Sequence, residues 1–183
     1  MNGHRPQVSP DRTNERLALY QQQLAAPLPS SATHTPARQP PTMAARDPIT
    51  CHVLNTLTGT PAANLPVTLT LLSAPASPSS PVTFHATTNG DGRVAKWTPT
   101  SAATTLSVPE ILAALPTGDS KTNWAVRFEV GPWYEAQGIE SFWPEVEVKF
   151  TVKGRGREGV EGWRHYHVPV LLGPWNYSTY RGS

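Results

Sequence analysis

From residue 49 onward the chain alternates apolar and polar side chains in short runs. The clearest is Val146-Glu147-Val148-Lys149-Phe150-Thr151-Val152, in which every second residue is apolar. That period puts the apolar side chains on one face of a β-strand. The same pattern predicts strands over Ile49–Asn55, 67–72 (Val67, Leu69 and Leu71 together), 82–87 and 123–130 (Trp124, Val126, Phe128 and Val130 together). Asn89-Gly90-Asp91-Gly92 is a tight-turn sequence and leads into a further strand over 93–97. Two last strands lie on either side of Gly173-Pro174. About eight short strands at short spacing argue for a β-sandwich. Helical turns are expected only briefly, over 109–114 and over 132–137 ahead of Gly138.

The first 47 residues lack this texture. Pro27, Pro29, Pro36, Pro40 and Pro41 forbid a continued helix or central strand, and large apolar side chains are few, so the segment reads as a disordered arm. Within it, Leu17, Tyr20 and Leu24 recur at helical spacing over 14–25, with Asn14 placed to cap a short amphipathic helix. Loops are expected at 73–81, 99–122 and 153–162.

Composition narrows the class. At 183 residues the chain fits one domain, 48–183, behind its arm. The net charge is +2 and the basic residues are scattered apart from 153–157, so no nucleic-acid footprint is present. Cys51 is the single cysteine, which excludes an internal disulfide. No apolar run reaches ~18 residues and no signal-peptide core opens the chain, so neither a membrane span nor secretion is expected.

The candidate chemistry lies in histidines on strands. His165 and His167 share one face of their strand, while Tyr166 points away. His52 sits on the first strand and Arg93 directly follows the turn. Taken singly, each has a plainer explanation: a half-buried packing histidine, a solvated surface arginine. A His-x-His pair also suits zinc, but no acidic or thiolate third ligand accompanies it, and no metal is expected. Phe142-Trp143-Pro144 reads as core packing, and Tyr180-Arg181 as the cap of an edge strand. No nucleophile-elbow motif surrounds Ser183, so a covalent serine mechanism is not expected.

Several motifs together resemble one family. They are Cys51-His52-Val53-Leu54-Asn55-Thr56, Gly59-Thr60-Pro61-Ala62, Asn89-Gly90-Asp91-Gly92-Arg93, Phe142-Trp143-Pro144-Glu145-Val146, Tyr166-His167-Val168-Pro169 and Tyr180-Arg181-Gly182-Ser183. In this order they resemble the 5-hydroxyisourate hydrolases, transthyretin-like enzymes of urate degradation. The resemblance covers residues 49–183, and the final tetrapeptide is its most specific mark. It implies an all-β, transthyretin-like (prealbumin-type) eight-stranded β-sandwich with one short helix, assembled as a homotetramer with active sites at a subunit interface. The implied reaction is hydrolysis of 5-hydroxyisourate to 2-oxo-4-hydroxy-4-carboxy-5-ureidoimidazoline, with water as cosubstrate and no cofactor.

Carried over by motif, His52 and His167 become an acid/base pair and Arg93 the substrate and oxyanion donor. Tyr180, Arg181, Gly182 and Ser183 position substrate, Ser183 bonding water or a partner histidine. These residue types suit the work. An imidazole near its ordinary pKa of ~6.5 accepts a proton at neutral pH, and a guanidinium grips a carbonyl and neighbouring nitrogen with two donors. Which histidine is the base is left open. The sequence departs from the family in its longer loops, Gly173 and Trp175-Asn176. The competing function is a transthyretin-like carrier of a small aromatic ligand without catalysis, which does not keep the His52, Arg93, His167 and 180–183 set. A structural scaffold is a third.

Arg16-Leu17, five residues, then Gln23-Leu24 resembles the amino-terminal peroxisomal targeting nonapeptide. Positions seven and eight apart fall on nearly one side of a helix, where an import receptor's groove can meet all four. Arg181-Gly182-Ser183 differs from the carboxy-terminal Ser-Lys-Leu address. The expected location is the peroxisome, or otherwise the cytoplasm.

Overall fold

The computed structural model describes residues 46–75, 81–100, 106–154 and 164–182. The arm with its segment 14–25, Ser183 and the interiors of the three loops lie outside the described residues. The strands are β1 (Ile49–Asn55), β2 (Thr60–Pro61), β3 (Pro66–Ser73), β4 (Val82–Thr87), β5 (Arg93–Val94), β6 (Thr98–Pro99), β7 (Lys121–Phe128), β8 (Val146–Lys153), β9 (Tyr166–Leu172) and β10 (Tyr177–Thr179). Short helices α1 (Val108–Ala113) and α2 (Val130–Glu135) flank β7.

The strands form two sheets, β10-β9-β1-β2 with β5 also pairing β1, and β6-β4-β3-β7-β8. Alternation explains why they stack. Ile49, Cys51 and Val53 of β1 and Val168, Val170 and Leu172 of β9 join Val67, Leu69, Phe84, Trp124, Val126 and Phe128 of the second sheet in one buried cluster. Fully burying a side chain of this size contributes roughly 1.5–3 kcal/mol. Truncating Trp124 or Phe84 to alanine costs about 3–5 kcal/mol. Cys51 belongs to this core, and burial pushes its thiol up to about 12, so it is inert.

The expected sandwich is present, with differences in detail that have physical causes. The strand predicted over 93–97 is cut to Arg93–Val94. Trp97 turns inward instead, 5% exposed, and donates its indole N–H to the Ile49 carbonyl at 2.8 Å. From there Thr98–Pro99 pairs with β4, so Trp97 marks the step from one sheet to the other. β7 ends at Phe128, and Val130 opens α2 rather than continuing the strand. The buried Tyr134 of α2 donates toward Asn55 Oδ1 and the Leu172 carbonyl, at 3.1 and 3.2 Å, fastening the helix to the first sheet. At α1, Glu110 reaches back to accept from the Ser107 N–H at 2.7 Å, and Pro109 fits the first turn. Both helical stretches read from the pattern are therefore helices.

Phe142-Trp143-Pro144 is core packing only through Trp143, which packs against the buried cluster. Phe142 is 66% exposed and not core, because this segment lies ahead of β8, with its backbone N–H on the Pro174 carbonyl at 2.8 Å. Trp143 is half-buried between the edges of Phe142 and Tyr177, with ring centroids 4.8 and 5.4 Å away.

Candidate active site

The site is built on the β1–β9 pair, which runs parallel from Ile49 opposite Tyr166 to Asn55 opposite Leu172. Partner residues on neighbouring strands share a face. Thr50 stands opposite His167 and His52 opposite Pro169, so Thr50, His52 and His167 lie on the face turned away from the core, where His165, just before β9, reaches the Thr50 hydroxyl.

The turn before β5 brings in the cation. Asn89 Oδ1 accepts from the backbone N–H groups of Asp91 and Arg93 at 3.0 and 2.8 Å, closing the tight turn that its sequence predicts. Gly92 adopts φ +70°, and a Cβ there would overlap the Val53 carbonyl, so only glycine fits. The consequence is register: Arg93 falls opposite His52.

The tail enters from the other side. β10 runs back along β9, the Thr179 hydroxyl bonds the Pro169 carbonyl at 2.8 Å, and the Gly182 N–H bonds the His167 carbonyl at 3.0 Å. Gly182 is buried against the imidazole. A Cβ there would stand 2.7 Å from His167 Cδ2 and 2.9 Å from Pro169 Cγ. Tyr180 is 62% exposed. Arg181 turns elsewhere: its guanidinium lies over the ring of Tyr166, 5.6 Å from the centroid, on the opposite face of β9 from the histidines. It helps line a mainly apolar cavity of about 170 Å³ with Phe150, Tyr166, Val168 and Tyr180, which His167 also borders.

The three imidazoles form a row. The His52 and His167 rings are 6.4 Å apart and inclined by 30°, and the His165 and His167 rings are 6.1 Å apart and inclined by 20°. Between the last two, the Thr50 hydroxyl meets His165 Nε2 at 2.9 Å and His167 Nδ1 at 2.8 Å. The His-x-His pair thus turns a nitrogen of each ring onto a hydroxyl, and among the described residues no group of three metal-ligating side chains gathers.

Burial pushes His167 down to about 4, reinforced by the charges of Arg93, His165, His52 and Arg46. His52 is lowered too, by burial and Arg93, against the opposing pull of Asp91. Both are neutral at neutral pH. A neutral imidazole beside an obligate cation can take a proton from water while the guanidinium meets developing negative charge.

Of the residues predicted from sequence, His52, Arg93, His167 and Gly182 come together. The Arg181 side chain does not join them, and Ser183 lies outside the described residues. Thr50 was missed. Its signal was available, since it shares a strand face with His52, but it becomes meaningful only once β1 is known to run parallel to β9.

The HIUase/Transthyretin family model matches residues 49–182. A probable 5-hydroxyisourate hydrolase of Schizosaccharomyces pombe is 35% identical over 136 residues, covering 74% of this chain and 90% of that protein. The 5-hydroxyisourate hydrolase of Mus musculus is 34% identical over 136 residues, covering 74% and 95%. Among solved structures, transthyretin from Sparus aurata aligns with a TM-score of 0.53 at 20% identity over 75% of this chain and 97% of that one, a likeness of fold. With its sandwich, its strand order and this match over most of its length, the chain belongs to the HIUase/Transthyretin family.

Proposed function

We propose that the protein hydrolyses 5-hydroxyisourate to 2-oxo-4-hydroxy-4-carboxy-5-ureidoimidazoline. The observation that carries this is the convergence of His52, Arg93, His167 and Gly182, from four separate parts of the sequence, on the sheet face turned away from the core. A neutral imidazole of the His52–His167 pair takes a proton from water as the water oxygen bonds to the ring carbonyl carbon. Arg93 donates to the carbonyl oxygen as it becomes an oxyanion. When the ring C–N bond breaks, the imidazole returns the proton to the departing nitrogen. In this proposal Tyr180, Arg181, Gly182 and Ser183 position substrate, Arg181 through its placement of the tail.

The test follows the absorbance of freshly generated 5-hydroxyisourate. Purified protein is expected to accelerate its decay far above the spontaneous rate. A decay equal to the spontaneous rate overturns the proposal and leaves a ligand carrier of the same fold.

The assembly proposed is a homotetramer with the histidine face at a subunit interface. Exposed Leu171 (40%) on that face, together with the exposed Tyr180, Phe142 and Trp175 elsewhere on the surface, supports it. Light scattering that finds only monomer at micromolar concentration ends that proposal. The proposed location is the peroxisome, supported by Arg16, Leu17, Gln23 and Leu24 at receptor-compatible spacing. Residues 1–47 fused to a fluorescent protein are expected to give punctate peroxisomal signal, and a diffuse cytosolic signal overturns it.

A further inference from the structure

Thr50 is a buried polar residue, 6% exposed, on the sheet face turned away from the core. Its hydroxyl has a single hydrogen and two acceptor lone pairs. It lies 2.9 Å from His165 Nε2 and 2.8 Å from His167 Nδ1. The hydroxyl can donate to only one of these nitrogens, so at least one of the two rings carries its proton there and donates to this oxygen. In the arrangement where one ring donates and the other accepts, the tautomers of His165 and His167 are coupled through Thr50. Because Nδ1 of His167 is held by Thr50, proton exchange with water falls to its Nε2.

We infer that Thr50 and His165 form a proton relay behind His167, which lets His167 act first as base and then as acid without keeping a positive charge beside Arg93. The inference rests on the hydrolase reading above. At the start, His167 Nδ1–H donates to Thr50 Oγ1, and the Thr50 O–H donates to His165 Nε2. As the water oxygen bonds to the substrate carbon, His167 Nε2 takes the water proton. The Nδ1 proton of His167 passes to Thr50, and the Thr50 hydrogen passes to His165 Nε2. His165 now holds the charge and His167 is a neutral N–H donor at Nε2. When the ring C–N bond breaks, that proton goes to the leaving nitrogen. The relay reverses, His165 Nε2 returning its proton through Thr50 to His167 Nδ1. Protons and charge balance over the cycle.

The surroundings favour moving the charge. The charged and titratable groups acting on His167 are Arg93 of β5, Arg46 ahead of β1, His52 on β1 and His165 just before β9, while Asp91 of the turn acts on His52 and Arg181 of the tail lies over Tyr166. Most are basic. The register sets Arg93 beside His52, whereas His165 lies two residues before His167, beyond Thr50. Passing the proton through Thr50 places the cation one ring farther along the row, 6.1 Å between centroids.

The experiment compares Thr50→Val, Thr50→Ser, His165→Gln and the Thr50→Val/His165→Gln double variant in full-length protein, with kcat, KM, pH profile and melting temperature for each. A relay predicts that Thr50→Val and His165→Gln each lower kcat by about tenfold to a hundredfold with KM nearly unchanged. The double variant is no slower than the slower single variant, Thr50→Ser retains most activity, and the acid limb of the kcat profile shifts in Thr50→Val. Additive losses, an unaffected Thr50→Val, or a Thr50→Ser as slow as Thr50→Val overturns the relay. His165→Gln, at a half-buried position, decides the matter should Thr50→Val fail to fold. Wild-type protein that leaves 5-hydroxyisourate at its spontaneous rate sinks the hydrolase reading instead, whereas active wild type with unaffected variants sinks the relay alone.

Discussion

His52 and His167 come from parallel neighbouring strands, and their rings lie 6.4 Å apart at an inclination of 30°, with Arg93 paired directly opposite His52. This spacing is too wide for a direct hydrogen bond between rings of that orientation and leaves room for a water or a substrate edge.

Replacing either histidine by asparagine keeps a polar side chain but removes the titratable ring nitrogen. For His167→Asn or His52→Asn, kcat/KM for 5-hydroxyisourate is expected to fall by about 10²–10⁴. Far-ultraviolet circular dichroism and the melting temperature should stay close to wild type, since both side chains lie outside the buried cluster. Full activity in His167→Asn removes it from the chemistry.

The pH dependence follows from the lowered imidazoles. With His167 at about 4 against an ordinary 6.5, the neutral, proton-accepting form persists well into mild acid. kcat/KM should be level through neutrality and decline only as pH approaches the folded value. Stability follows the same sign. The unfolded chain binds the His167 proton more readily between 6.5 and 4, so this contribution is complete above 6.5 and is lost as pH falls toward 4. Stopped-flow rates and urea midpoints between pH 4 and 8 check both. A rate already halved at 6.5 contradicts the geometry.

Gly182→Ala tests the tail. The added methyl would press on His167 Cδ2 and Pro169 Cγ, forcing either the tail or the imidazole to shift. A displacement of about 1 Å in a catalytic group costs on the order of a hundredfold, so activity should fall by that amount with an unchanged unfolding midpoint. An unaffected rate would show that the tail can move without disturbing the chemistry.

Gly92→Ala probes the turn that delivers Arg93. Holding a non-glycine residue at φ +70° costs about 1–3 kcal/mol, and its Cβ would also meet the Val53 carbonyl. Chemical denaturation should show a loss at the upper end of that range or beyond, together with reduced activity. A midpoint equal to wild type would mean that β5 reorganises freely.

The sequence made the strands legible because each carries period-two alternation, as Val67, Leu69 and Leu71 do. The Asn89-Gly92 turn was legible because its residues tolerate the backbone it adopts. Trp97 broke the pattern: a large aromatic in strand-like context gives no sign that its indole will reach for the Ile49 carbonyl and end the strand. Phe142 misled for the opposite reason, an aromatic beside Trp143 that the sandwich leaves outside. Period two says which side of its own strand a residue occupies, but not which strand lies alongside or in which direction. Thr50 therefore stayed hidden beside His52 until the parallel register placed it against His167.

That register also has a kinetic consequence. Thr50 and His167 are 117 positions apart, and the ladder joining their strands must close a loop of that size before any of its bonds form. Folds dominated by such distant pairings typically mature over milliseconds to seconds. Turnover should consequently appear late in refolding, after intrinsic fluorescence has largely recovered, and a time course of regained activity would serve as a sensitive clock for the last stage of assembly of the native chain.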